Sequence, residues 1–169
     1  MPNDETRELE TIEVETGAKP TGSIIWMHGL GADGHDFEPI VPELVAPNER
    51  ALRFVFPNAP VRPVTINGGY AMRAWYDIVG IDRHSAQDET GIRGSDAIVR
   101  ALIERENSRG VPTERIVLAG FSQGGAMSLF SGPESSGCPR RCTCRPAAGR
   151  WCWSTAAARV RKPVTAMPG

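Results

Sequence analysis

The sequence predicts an α/β fold with a mostly parallel sheet, on three observations. Short apolar runs of strand length alternate with segments of helical period, two of those runs end in glycine-rich turns, and one such turn holds a serine between glycines. With 169 residues, 40% of them hydrophobic and 23% charged, the chain is long enough for one domain with its own core. Segment 1–15 is polar and acidic without an apolar stretch, and no run reaches the length of a bilayer span. A cytoplasmic chain without a membrane span is therefore expected.

Taken in order, Glu8 to Thr16 alternates apolar and polar residues and predicts a half-exposed antiparallel edge strand. Ser23-Ile24-Ile25-Trp26-Met27 is a continuous apolar run, as in a strand buried on both faces, and it opens into the loop His28-Gly29-Leu30-Gly31. Phe37, Ile40, Val41, Leu44 and Val45 have helical spacing over Asp36 to Ala46, with Pro42 predicting a kinked or irregular helix. Arg53 to Phe56 is a second buried strand, stopped by Pro57. Residues 57–90 are rich in Pro, Gly and Asn and too long for a plain connector, which predicts a functional flap with a short hairpin near Val64-Thr65-Ile66. Gly91 to Arg109 places Ile92, Ile98, Val99, Leu102 and Ile103 on one helical face and stops at Gly110.

Next comes Ile116-Val117-Leu118-Ala119, running into Gly120-Phe121-Ser122-Gln123-Gly124-Gly125. A strand that turns sharply into a helix at Gly-x-Ser-x-Gly is a nucleophile elbow: the strained turn lifts the serine hydroxyl into the open, and bulkier residues in place of the glycines would collide. The free amides at the helix start face the place where an oxyanion would form. Ser122 is thus the candidate nucleophile of an acyl-transfer reaction that requires no metal or cofactor. One oxyanion donor should be the amide after the serine, and the other should come from the glycine-rich loop of a neighbouring strand.

Four further blocks accompany the elbow in order: His28 to Asp36; Phe56-Pro57-Asn58-Ala59-Pro60; Pro63 to Gly69; and Met72-Arg73-Ala74-Trp75-Tyr76-Asp77-Ile78. With Asp88 to Ile92 they make residues 22–131 resemble the carboxylesterase and acyl-protein thioesterase family of α/β-hydrolases, the phospholipase/carboxylesterase family. The resemblance implies hydrolysis of a small-molecule carboxylic ester or thioester, with Ser122 as nucleophile and the Leu30 and Gln123 amides as the oxyanion hole. It also implies that Gly29, Trp75 and Phe121 line the substrate pocket with the flap around residues 63–80; a core aromatic is the competing reading of Trp75.

The three histidines all precede Ser122, and no histidine or aspartate follows it. His28, in the oxyanion loop, reads as a packed structural histidine, whereas His35 and His84 read as solvated, and Asp77 and Asp82 as surface or flap carboxylates. In the family the triad aspartate and histidine follow the nucleophile. The expectation is accordingly the N-terminal portion of an α/β-hydrolase, residues 1–132, lacking the C-terminal strands and at best weakly active.

Residues 135–169 hold seven of the 19 Lys/Arg and none of the 20 Asp/Glu, together with Cys138, Cys142, Cys144, Cys152, Trp151 and Trp153. Composition and period change together near Pro133, so 133–169 is expected to be an Arg/Cys/Pro-rich tail, a disordered segment or the product of a shifted reading frame. The cysteine spacing does not suit a paired zinc ribbon, a disulfide framework does not suit the cytoplasm, and the basic residues carry no nucleic-acid motif; metal and nucleic acid are not expected. The rival class is a non-catalytic protein that binds acyl ligands and uses the Cys/Arg tail for contacts. With nothing in the tail recognisable as a strand, the free edge of the elbow strand predicts self-association.

Overall fold

A computed structural model describes residues 9–45, 50–82, 84–135 and 156–159, with residues 133–135 and 156–159 described by their backbone alone. Its centre is a five-stranded sheet built from β1 (Thr11–Glu15), β2 (Gly22–Met27), β3 (Leu52–Pro57), β6 (Ile116–Gly120) and β7 (Ala156–Arg159), in the order β1-β3-β2-β6-β7. β2 pairs parallel with β3 and with β6, while β1 and β7 close the two sides antiparallel. Alternation along each strand sorts its side chains onto two faces. Ile25, Met27, Val55, Ile116 and Leu118 meet Val99, Leu102 and Ile103 of α2 (Glu89–Ser108) and Met127 of α3 (Gln123–Ser135). Trp26, Phe54, Phe56 and Ala119 pack on the opposite face with Val41 of the one-turn helix α1 (Val41–Leu44).

Three expectations are corrected. The helix expected over Asp36 to Ala46 is two 3-10 turns, Gly34–Asp36 and Glu38–Ile40, followed by α1. Pro39 and Pro42 each remove an amide from the ladder, so the apolar spacing is met without a continuous helix. The compositional break at Pro133 does not end the secondary structure, because α3 runs through it to Ser135. Nor is the outer edge of β6 open: Val117 to Gly120 pair with Arg159 to Ala156 of β7, which meets the β6 backbone groups a free edge would expose. The four cysteines, Trp151 and Trp153 lie outside the described residues.

The expected flap contains the hairpin of β4 (Val61–Val64) and β5 (Tyr70–Arg73), joined through a 3-10 turn at Thr65–Asn67 and two left-handed glycines, Gly68 at φ 68° and Gly69 at φ 79°. Asp77 holds that turn from below, accepting the Thr65 amide at 2.7 Å and the Thr65 hydroxyl. These bonds, led by the one from the hydroxyl, keep the Asp77 carboxyl below its ordinary value. Asp88 accepts the Asp77 amide at 2.8 Å and caps α2 through the Gly91 amide at 2.9 Å, fastening the flap to the helix start. Among the described residues no helix is long and apolar enough to cross a membrane.

Candidate active site

The C-terminal ends of β2 and β6 lie side by side, Met27 opposite Gly120, and this brings the glycine-rich loop against the serine turn. Ligands bind at such strand ends in α/β sheets. Ser122 has φ 52°, the one positive φ of a non-glycine residue among the described residues, and its hydroxyl makes no hydrogen bond there. The turn is held by Phe121 N–H donating to the Met27 carbonyl at 3.0 Å and by Gly124 N–H donating to the Phe121 carbonyl at 2.9 Å. Ala126 N–H then donates to the Ser122 carbonyl at 3.1 Å and starts α3.

The flanking glycines are steric necessities. A Cβ on Gly120 would sit 2.7 Å from the Gly125 nitrogen and overlap the Gly124 carbonyl, and one on Gly124 would sit 2.6 Å from the His28 carbonyl oxygen and overlap that of Met27. Gly29 lies nearer Ser122: a Cβ there would be 3.5 Å from the Ser122 Cβ and 3.3 Å from the Phe121 ring. The β2 end and the elbow therefore pack backbone to backbone at Gly120 and Gly124, and a side chain at Gly29 would crowd the Phe121 ring.

Among the described residues neither the Leu30 nor the Gln123 amide has a hydrogen-bond acceptor, whereas the neighbouring amides of Gly31 and Ala32 donate to Arg73 and Gly29 carbonyls at 2.9 and 3.2 Å. Gln123 is the first residue of α3, where an amide has no partner within its own helix and carries the positive end of the helix dipole. Phe121 is 41% exposed beside Ser122, with its ring 6.0 Å from that of Phe37.

Trp75 departs from expectation. Its side chain is fully buried within the core cluster, so it does not form an open wall of a pocket. It supports the site from behind instead: the indole Nε1 donates to the His28 carbonyl at 3.0 Å, the Trp75 carbonyl accepts the Ser95 hydroxyl, and the indole packs 5.4 Å from the His28 ring. The competing reading of a core aromatic describes it.

His28 is fully buried. Its Nε2 accepts the Ala59 amide at 2.9 Å, so Nδ1 carries the proton and donates to the Gly29 carbonyl at 2.7 Å. Burial pushes this imidazole below its ordinary value and outweighs the opposing effect of the Gly29 bond. With both ring nitrogens committed, His28 braces the loop and has no lone pair for a substrate proton. His35 is exposed and pairs with Glu38 at 3.1 Å, and His84 is exposed in the flap. None of the three hydrogen-bonds Ser122. Among the described residues no cluster of three or more His, Cys, Asp or Glu is placed to hold a metal ion.

Sequence reasoning missed the Gln123 side chain, whose polar atoms reach the flap, and the Asp88–Asp77–Thr65 chain that fastens it. Nothing in a single sequence marks a glutamine after a serine as a tertiary contact. The aspartate before α2 was legible in principle as an N-cap.

The profile of the phospholipase/carboxylesterase family matches residues 9–154, past the compositional break at Pro133. Acyl-protein thioesterase 1 of Mycosarcoma maydis is 40% identical over 131 residues, covering 72% of this chain and 55% of that protein. Acyl-protein thioesterase 1 of Neurospora crassa is 43% identical over 122 residues, covering 68% and 49%. Among solved structures, Zea mays acyl-protein thioesterase 2 superposes with a TM-score of 0.61 at 31% identity over 73% of this chain and 50% of that one. The chain spans about half the length of the curated relatives it matches.

Proposed function

The chain belongs to the phospholipase/carboxylesterase family of α/β-hydrolases, and on that premise we propose that it carries the nucleophile and oxyanion half of a serine hydrolase site for carboxylic esters and thioesters. The observation that carries the reading is the Ser122 turn: a serine at positive φ whose hydroxyl, like the Leu30 and Gln123 amides, has no hydrogen-bond partner among the described residues. Ser122 Oγ attacks the acyl carbonyl, and the Leu30 and Gln123 amides receive the negative charge of the tetrahedral adduct. Collapse of the adduct breaks the C–O or C–S bond, leaving an acyl-serine that water cleaves. Gly29 keeps the approach narrow and Phe121 offers an apolar surface to the acyl chain. The names of the relatives support a protein-linked thioester as one substrate.

The Ser122 proton needs an acceptor, and among the described residues none hydrogen-bonds its hydroxyl. An oxyanion hole and binding alone sustain only ~10³–10⁴-fold acceleration over water. The purified chain should therefore turn over p-nitrophenyl butyrate near background, indifferently to Ser122→Ala, while a fluorophosphonate still adds slowly and selectively to Ser122. Modification elsewhere, sparing Ser122, overturns the nucleophile. Fast turnover that Ser122→Ala abolishes shows that a base is supplied. Acyl-ligand binding with neither turnover nor fluorophosphonate labelling of Ser122 favours the non-catalytic binding protein.

A further inference from the structure

Gln123 is 4% exposed, and both polar atoms of its side chain are spent on one neighbouring segment. Oε1 accepts the Trp75 amide at 2.8 Å, and Nε2 donates to the Tyr76 carbonyl at 2.8 Å. A primary amide offers an acceptor and a donor side by side, as a peptide group does, so this side chain pairs with the flap as a short strand would. From Trp75 the connection continues through the indole to the His28 carbonyl, and the His28 ring grips Gly29 and Ala59. Gly31 N–H reaches back to the Arg73 carbonyl at 2.9 Å, just before the segment that Gln123 holds. With Phe121 N–H donating to the Met27 carbonyl at 3.0 Å, hydrogen bonds run from elbow to flap to glycine-rich loop and back to the elbow.

We propose that the Gln123 side chain is a positioning residue, clamping flap residues 74–76, and through the Trp75 indole the His28–Leu30 loop, in register with the serine elbow. The clamp rests on the reading of the Leu30 and Gln123 amides as an oxyanion hole: these donors sit on separate segments, and these hydrogen bonds tie the segments together. One residue therefore supplies a donor through its backbone and the alignment of the second donor through its side chain. Glutamine is the side chain that suits. Asparagine is a methylene too short, and ionised glutamate keeps the acceptor for Trp75 but sets a second acceptor against the Tyr76 carbonyl.

Amide hydrogen exchange on the full 169-residue chain tests the clamp without relying on turnover. In the wild type the Trp75 amide should be as protected as amides inside α3; protection no greater than that of Ile81, in an exposed bend, overturns the proposal without any variant. In Gln123→Met, which removes both bonds at similar volume, exchange at Trp75 should rise about tenfold, the equivalent of one buried hydrogen bond, with α3 still protected. Unchanged protection in a folded Gln123→Met chain overturns it.

Gln123→Glu supplies the second arm. A neutral glutamic acid can donate to the Tyr76 carbonyl as glutamine does, so protection of Trp75 should be near wild type at pH 5 and lost at pH 8, after correction for intrinsic rates. The wild-type chain over the same range accounts for His28, Tyr76, Asp77 and Asp88, the titratable groups on or bonded to these segments. Protection of Trp75 in Gln123→Glu that ignores pH overturns the clamp. A chain whose Ser122 resists the fluorophosphonate while Trp75 behaves as stated loses the hydrolase reading and keeps the clamp.

Discussion

Arg53 and Glu106 meet at 2.8 Å at the end of the sheet opposite Ser122, with the Glu106 side chain wholly removed from solvent. Ser23, at the start of β2, donates its hydroxyl to the same carboxylate, and Arg109 adds a contact at 3.1 Å. Arg53 is held on its other side by Glu15 at 2.8 Å. The cluster binds β1, β2, β3 and α2 together where an apolar contact would have served.

Removing Glu106 leaves the buried Arg53 with only the partly exposed Glu15 as partner and leaves the buried Ser23 hydroxyl without its acceptor. Glu106→Ala should destabilise the fold by about 3–5 kcal/mol, whereas the double change Arg53→Met with Glu106→Leu should come close to wild type. Urea denaturation of the three chains checks this; a Glu106→Ala loss below about 1 kcal/mol would show that Glu15 or water suffices to hold Arg53.

The turn at Ser122 makes an opposite demand. A side chain at positive φ costs of order 1–3 kcal/mol, part of which glycine returns through its greater freedom when unfolded. Ser122→Gly should raise stability by about 1 kcal/mol, while Ser122→Ala, which keeps the Cβ, should give no such gain. Thermal unfolding of both reads the difference, and a destabilised Ser122→Gly chain would mean that the hydroxyl is held by the fold.

What was legible in the sequence is what local pattern dictates. The alternation of Thr11–Glu15 and the apolar runs of β2, β3 and β6 mark strands because a pleated sheet sorts side chains by twos. The elbow was legible because a turn that tight tolerates few residue types. Tertiary demands were not. Trp75 sits inside the core because its indole satisfies the His28 carbonyl, and Glu106, on a helix whose face looked merely amphipathic, is buried because Arg53 and Ser23 are there to meet it. β7 carries no strand signature, and its place is set by the unmet backbone of β6.

Burial of His28 has a pH signature. Its folded-state value lies below the ordinary 6.5, so the unfolded chain takes up a proton first as pH falls. Stability from this residue is fully present above about pH 6.5 and declines below it, by at most ~1.4 kcal/mol per pH unit, until the folded imidazole protonates as well. His28→Gln should be less stable than wild type at pH 8, with the gap narrowing toward pH 5. A gap that stays constant over that range would assign the decline to other groups. The Asp77 contribution falls in a separate, more acidic window, because a carboxylate held below its ordinary value loses stability only as pH drops below about 4.

The pairing of β7 with β6 decides how the chain behaves in solution. β6 is the strand that delivers Ser122, and its backbone is satisfied on one side by β2 and on the other by Ala156–Arg159. Deleting residues 136–169 would leave Val117 to Gly120 as an open edge next to buried Ile116 and Leu118, a template for pairing with a second copy. Far-ultraviolet circular dichroism would hardly register the loss of four strand residues, so the informative measurement is mass in solution. The shortened chain should shift toward dimers and larger species in light scattering, and should do so at lower concentration than the full chain. A proline at position 158, opposite Leu118, should act in the same direction more weakly, since it removes an amide from β7 without removing the strand. If the shortened chain stays monomeric with an unchanged unfolding midpoint, the cover that β7 gives β6 contributes nothing to its solubility.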